Sequence, residues 1–207
     1  MKLLIVGATG AVGQAVLQQA LADSRISAVI APTRRALPSH AKLENPLLDF
    51  KQLPPDAAWW AADGLICALG TTQKIAGSPE RFVAIDRDLV IRVAELARRA
   101  GVPYLALNSS LGASLQGNLY LRTKAEAEQG VRALGFPRLL IVRPSLINAV
   151  RTPPRPAEHI GLCVSRLLGP LIPRRYRPVT PDTIAAAMLN GLFADGQGEW
   201  ILESDQL

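Results

Sequence analysis

A short apolar run, Leu3–Val6, feeds directly into Gly7-Ala8-Thr9-Gly10-Ala11-Val12-Gly13, and apolar residues at helical spacing follow from Val12 to Ala22. A strand that turns into a helix across three glycines in this G-x-x-G-x-x-G spacing has little freedom in what it builds. The first glycine permits the tight turn, the second removes a side chain where a pyrophosphate approaches, and the third lets the helix pack close to the sheet. Free N–H groups at the start of that helix attract phosphate. Gly7, Thr9, Gly10, Ala11, Val12 and Gly13 are therefore candidate contacts to a nucleotide. A turn that merely needs positive φ is the alternative, and the setting in a first βαβ unit favours the nucleotide.

The remainder of the chain alternates in the same way. Ile26–Ala31, Leu65–Leu69, Tyr104–Leu107 and Leu139–Val142 are short continuous apolar runs, the pattern of strands buried on both faces of a parallel sheet. Leu43–Leu48 is a weaker strand interrupted by Pro46, which cannot donate to a ladder. Ser78-Pro79-Glu80 supplies an N-cap, a proline at the first helical position and a first-turn acid. It opens an amphipathic helix through Phe82, Val83, Leu89, Val90, Val93, Leu96 and Ala97 to Arg98-Arg99 and Gly101. Residues 119–134 predict another helix, stopped by Gly135 and Pro137. After Val142 the pattern loosens into proline- and arginine-rich loops at 151–156 and 170–178 around a short helix near 157–168. A helix over 181–193 and a strand Trp200–Glu203 follow. Strand alternating with helix predicts an α/β fold: a doubly wound parallel sheet with right-handed crossovers. At 207 residues the chain reads as a single domain, with 151–207 as a short C-terminal appendix.

The end of the second strand chooses the nucleotide. NAD calls for an acid about 20 residues beyond the glycines, where it accepts hydrogen bonds from the ribose. This chain has Thr33-Arg34-Arg35 instead, and two guanidiniums suit a 2′-phosphate. The expected cofactor is NADP (NADPH). Asp49 and Phe50, after the third strand, are candidates for the adenine. The formal net charge of +6 lies wholly in residues 1–150, with 17 Lys and Arg against 11 Asp and Glu. No basic block interleaved with aromatics occurs, which argues against nucleic acid and for a small anionic ligand. Cys67, Cys163, His40 and His159 are too few and too scattered for a metal site or a disulfide framework. No apolar run approaches the ~18 residues of a membrane span. The apolar stretch before Gly7 is too short for a signal-peptide core, so a cytoplasmic location is expected.

Tyr120-Leu-Arg-Thr-Lys124 opens the helix over 119–134, and a spacing of four puts both residues on one face. A neighbouring ammonium stabilises a phenolate, which is what a tyrosine acid/base needs. Just upstream, Asn108-Ser109-Ser110 ends the fifth strand, at the edge where ligands of open α/β sheets bind. With the glycine turn, these residues resemble the short-chain dehydrogenase/reductase superfamily over nearly the whole chain. Cys67-Ala-Leu-Gly-Thr-Thr72, Phe82-Val-Ala-Ile-Asp-Arg-Asp88, Asn108-Ser-Ser110, Leu119–Lys124 and Val142-Arg-Pro144 look like its atypical, Tat-interacting-protein oxidoreductase-like group. The resemblance implies a Rossmann-like fold and NADPH. It also implies Tyr120 as proton donor, Lys124 on the nicotinamide ribose, and Ser109 or Ser110 as the third member of a triad. Leu69 and Gly70 would line the cofactor, Ile147 would lie near the nicotinamide and Arg155 near the phosphates.

The reaction expected is hydride transfer to a small carbonyl or enone substrate. Arg143, Arg151 and Arg155 near the mouth favour an anionic one. The second reading is an NADPH-binding redox sensor that acts through protein partners, with the proline/arginine-rich loops as its surface. A monomer or homodimer fits either. Trp59-Trp60, Met188 and Leu189 are expected in the core.

Overall fold

The computed structural model describes residues 1–148 and 173–207. Seven parallel strands form one sheet: β1 (Lys2–Val6), β2 (Ala28–Ile30), β3 (Leu43–Glu44), β4 (Gly64–Cys67), β5 (Tyr104–Asn108), β6 (Arg138–Arg143) and β7 (Gly198–Glu203), in the order β3-β2-β1-β4-β5-β6-β7. Strand order reverses between β1 and β4, so the cleft outside their carboxyl ends is where such a sheet binds its ligand. Period-two alternation divides the strand side chains. Leu3, Ile5, Ala106 and Leu140 face α1 (Ala11–Ala22) and the late helix Pro181–Phe193, whereas Leu4, Val6, Leu105 and Ile141 face the opposite layer. Both layers are apolar, and each strand reads as a continuous apolar run because each face buries half of it.

After the single turn α2 (Gln73–Ala76), that opposite layer comes from 79–99 and from α5 (Leu119–Ala133). Its first part departs from the expected single α-helix. Chain continuity holds, but α3 (Pro79–Val83) passes through a π-helical segment, Ala84–Leu89, before α4 (Val90–Arg99). The wider turn carries Asp86 inward, to 1% exposure, while Asp88 two residues later stays outside. Ser78 caps the start as expected, its hydroxyl accepting from the Arg81 N–H. The third strand keeps only two residues, because beyond Glu44 the chain reaches Pro46 and pairing survives only as a bridge between Thr33 and Leu47.

The late helix, α6 (Pro181–Phe193), and β7 are built into these layers rather than standing beside them. β7 pairs with β6 along its whole length, from Arg138–Gly198 to Arg143–Glu203. Ile184, Met188 and Leu189 of α6 pack with Val12, Val16 and Ala20 of α1. Gln19 Nε2 donates to the Asp182 carbonyl at 3.0 Å. The Tyr104 hydroxyl donates to the Met188 carbonyl inside the core at 3.0 Å. Trp60 is buried and Trp59 half-buried against it. Arg151, Arg155, His159, Cys163 and the short helix expected near 157–168 lie outside the described residues.

Candidate functional site

Three glycines divide their labour at the β1–α1 turn. Gly7 adopts φ +92°, and a Cβ there would stand 2.6 Å from the carbonyl carbon of Ala68. At Gly13 a Cβ would lie 2.0 Å from the Gly7 carbonyl oxygen. Both positions exclude a side chain to close the turn. Gly10 differs, since it is exposed and its Cβ would meet nothing nearer than the Gly7 oxygen at 3.5 Å. It is open on the solvent side. Gly10 is also the N-cap of α1, which has neither a side-chain cap nor a first-turn acid. The N–H groups of Ala11, Val12 and Gly13 thus keep the field of a bare helix start, with Thr9 and Ala11 exposed beside them.

At the end of β2, Arg34 and Arg35 are exposed, and among the described residues neither guanidinium has an ion-pair partner. Thr33 turns its side chain inward. It is 3% exposed, its hydroxyl donates to the Arg35 carbonyl at 2.6 Å and accepts from Asn45 Nδ2 at 2.8 Å. It shapes the loop that carries the two arginines. Asn45, which no sequence motif marks, completes this loop by accepting from the Leu37 N–H and donating to the Ala31 carbonyl. Asp49 is exposed and one oxygen accepts from the Lys51 N–H at 3.0 Å, while Phe50 leans half-buried on the α4/α5 layer.

Across the switch point, Tyr120 is half-buried near the start of α5, its ring stacked on buried Phe82 with centroids 5.9 Å apart. Asn118 caps that helix, accepting from the Leu121 N–H. One turn on, Lys124 is 6% exposed and its Nζ lies 2.7 Å from Asp86 Oδ1. The other Asp86 oxygen accepts from the Thr71 N–H at 2.8 Å. The pair flanks Gly70, whose Cβ would lie 3.4 Å from the carboxylate and 3.5 Å from the ammonium. Leu69 beside it is half-buried. Burial pushes the Cys67 thiol at the end of β4 up to about 11.

The two serines separate cleanly. Ser109 is buried and donates to Glu128 Oε1 at 2.6 Å. Glu128, 1% exposed, is held in turn by Arg143 through Nε at 2.9 Å and Nη2 at 2.6 Å. Arg143 also reaches Glu203 at 3.0 Å, and these carboxylates push its pKa above the ordinary guanidinium value. So Ser109 faces into the α5 layer, and Arg143 is committed to two carboxylates instead of offering charge at the mouth. Ser110, half-buried, makes only a 3.4 Å contact to the Leu111 carbonyl. Ile147 is half-buried and bridges to Val179. Among the described residues no group of His, Cys, Asp and Glu is placed to hold a metal, and no helix is long and apolar enough to cross a membrane.

This geometry agrees with what the chain is similar to. Residues 7–159 match a family described as NAD(P)H-binding. "Protein HTATIP2" of Rattus norvegicus is 34% identical over 214 residues, covering 95% of this chain and 83% of the relative. "Protein fmp52, mitochondrial" of Emericella nidulans is 35% identical over 175 residues, covering 80% and 75%. Among solved structures, MoeE5 in complex with UDP-glucose and NAD superposes with a TM-score of 0.74 at 16% identity, over 98% of this chain and 75% of that one; this likeness is one of fold. With a bare helix start at the switch point of a Rossmann sheet, and with relatives of this extent, the chain belongs to the NAD(P)H-binding family, in the atypical short-chain dehydrogenase/reductase group that holds HTATIP2 and FMP52.

Proposed function

We propose that this protein is an NADP(H)-dependent oxidoreductase that transfers hydride to a small carbonyl or enone. The observation that carries the cofactor choice is the pair Arg34-Arg35, exposed and, among the described residues, without an ion-pair partner, where an NAD site would place an acid. A 2′-phosphate would receive both guanidiniums. The opening at Gly10 and the uncapped first turn of α1 fit a pyrophosphate, with the N–H groups of Ala11, Val12 and Gly13 as donors. Lys124 would hold the nicotinamide ribose, beside Gly70. When bound, the reduced nicotinamide supplies the hydride.

The rest is proton and charge management by the chain. Tyr120, fixed against Phe82, would give its hydroxyl proton to the carbonyl oxygen as negative charge develops there. Ser110, whose hydroxyl has no strong acceptor among the described residues, would donate a hydrogen bond to the same oxygen. Ser109 would serve from behind through Glu128. The proposed setting is the cytoplasm, although the fungal relative carries "mitochondrial" in its name; fractionation of the tagged protein decides.

Calorimetric titration with NADPH and NADH tests the cofactor choice. NADPH should bind at least about tenfold more tightly, the usual worth of a charge-assisted contact; equal affinities would refute it. For the chemistry, Tyr120→Phe should abolish reduction across a panel of aldehydes, ketones and quinones while NADPH affinity stays within about twofold. No turnover by the wild-type protein on that panel, with tight NADPH binding retained, would instead favour the sensor reading.

A further inference from the structure

The ladder between β2 and β3 runs into a residue that cannot complete it. Thr33 shows the parallel pattern: its N–H donates to the Pro46 carbonyl, and its own carbonyl accepts from the Leu48 N–H. Two residues earlier, the Ala31 N–H donates to the Glu44 carbonyl. By the same pattern the Ala31 carbonyl should accept from residue 46, but residue 46 is proline and has no N–H. Ala31 is buried, and a buried carbonyl without a donor is costly. Asn45 supplies the missing rung, its Nδ2 donating to that carbonyl. The rung accounts for one bond, and the same amide makes two more. Nδ2 also donates to Thr33 Oγ1 at 2.8 Å, and Oδ1 accepts from the Leu37 N–H at 2.8 Å. A side-chain amide offers two donors and a carbonyl oxygen, and here all of them are taken up by residues 31–37. The Thr33 hydroxyl extends the set by donating to the Arg35 carbonyl at 2.6 Å. Arg34 and Arg35 lie between these anchors, both exposed.

We propose that Asn45 is the positioning residue that sets the preference for the phosphorylated coenzyme. By tying both ends of 31–37 to the end of β3, it holds the backbone of Arg34 and Arg35 where both guanidiniums reach a 2′-phosphate. This rests on the cofactor reading above. Arginine side chains lose much rotamer freedom on binding, so the backbone beneath them is what the fold can order in advance. Asn45 acts through the loop and touches no phosphate. The preference is thereby divided between two strands: the charge follows β2, and the geometry is imposed from β3.

Calorimetric titration of NADPH and of NADH into four proteins tests it: wild type, Asn45→Ala, the pair Arg34→Ala with Arg35→Ala, and all three substitutions together. Asn45→Ala should weaken NADPH binding about fivefold, the scale of ordering one or two long side chains, and NADH binding less than about twofold. In the background without the arginines, the same substitution should change NADPH affinity less than about twofold, because no guanidinium is left to position. Thr33→Val, which removes the hydroxyl and keeps the bulk, should weaken NADPH alone by a smaller factor. That variant carries the test if Asn45→Ala fails to fold. Loss of NADPH and NADH affinity by the same factor, or an undiminished NADPH loss in the background without the arginines, would overturn the proposal and leave Asn45 as a support of the sheet edge. A wild-type protein that binds NADPH no better than NADH, or binds neither, sinks the cofactor reading itself and this proposal with it. A preference for NADPH that survives both Asn45→Ala and Thr33→Val sinks only the role of Asn45.

Discussion

The two halves of the ligand edge are made of different materials. On the side of β1 and β2, the surface presents backbone N–H groups, a missing side chain at Gly10 and two exposed guanidiniums. On the side of β4, β5 and α5, it is organised by buried charge: Asp86 with Lys124, and Glu128 with Arg143 and Ser109. A pyrophosphate needs only donors in the right curve, which local chain geometry provides. The proposed proton transfer would need a lysine and a tyrosine on one helix held at fixed positions from a hydroxyl on a separate element, and pairs that bridge elements do that. Stability and binding should therefore separate on the first side and be tied together on the second.

The contrast is open to attack at several points. The largest effect is expected at Gly13→Ala, where the new Cβ would overlap the Gly7 oxygen; the loss should be about 3 kcal/mol or more, at or beyond the upper end for overpacking, seen as a collapse of the chemical-denaturation midpoint. Gly10→Ala, three residues earlier, should leave that midpoint nearly unmoved while NADPH binding is lost. A comparable fall in stability there would remove the distinction. Next is Glu128→Gln, which leaves Arg143 without its main partner and Ser109 without its ionised acceptor; breaking a buried pair costs about 3 kcal/mol, and thermal unfolding should show it. Arg34→Ala and Arg35→Ala should each weaken NADPH binding by roughly tenfold and flatten its salt dependence, with no change in melting temperature. The smallest effect is on pH. Hydrogen bonds from Arg25 hold the Asp23 carboxyl down at about 2, from an ordinary 3.8. A lowered folded value means that this stabilisation is present above pH 3.8 and disappears as pH falls toward 2. Asp23→Asn should flatten the acid limb slightly over that window, and an unchanged limb would show that this exposed pair contributes nothing.

What could be read from the residues follows the same division. The glycine turn, the bounds of α6 and the cap at Ser78 are local: each is set by residues within one turn of one another, so Thr180-Pro181-Asp182 announces its helix without help. The Thr33-Arg34-Arg35 segment was legible in type, but the burial of Thr33 depends on Asn45 across the loop. Tyr120 and Lys124 share a helix and were found together. Asp86 belongs to another element, turned inward by a π segment whose extra residue leaves no trace in apolar periodicity. Ser109 could not be told from Ser110, because strand parity at the end of β5 and the reach of Glu128 are fixed only once α5 is docked. Arg143 is withdrawn from a ligand for the same reason: Glu128 and Glu203, which hold it, come from other elements.

The packing of α6 on α1 has a consequence for synthesis. The helix that starts at the glycine turn leaves the ribosome well before its partner, for Val12, Val16 and Ala20 find their cover in Ile184, Met188 and Leu189, more than 160 positions later. Until those residues emerge, one flank of the nascent βα unit is greasy and bare. Contacts of such long span slow folding and lengthen exposure to aggregation, so α1 must wait on translation for the helix that covers it.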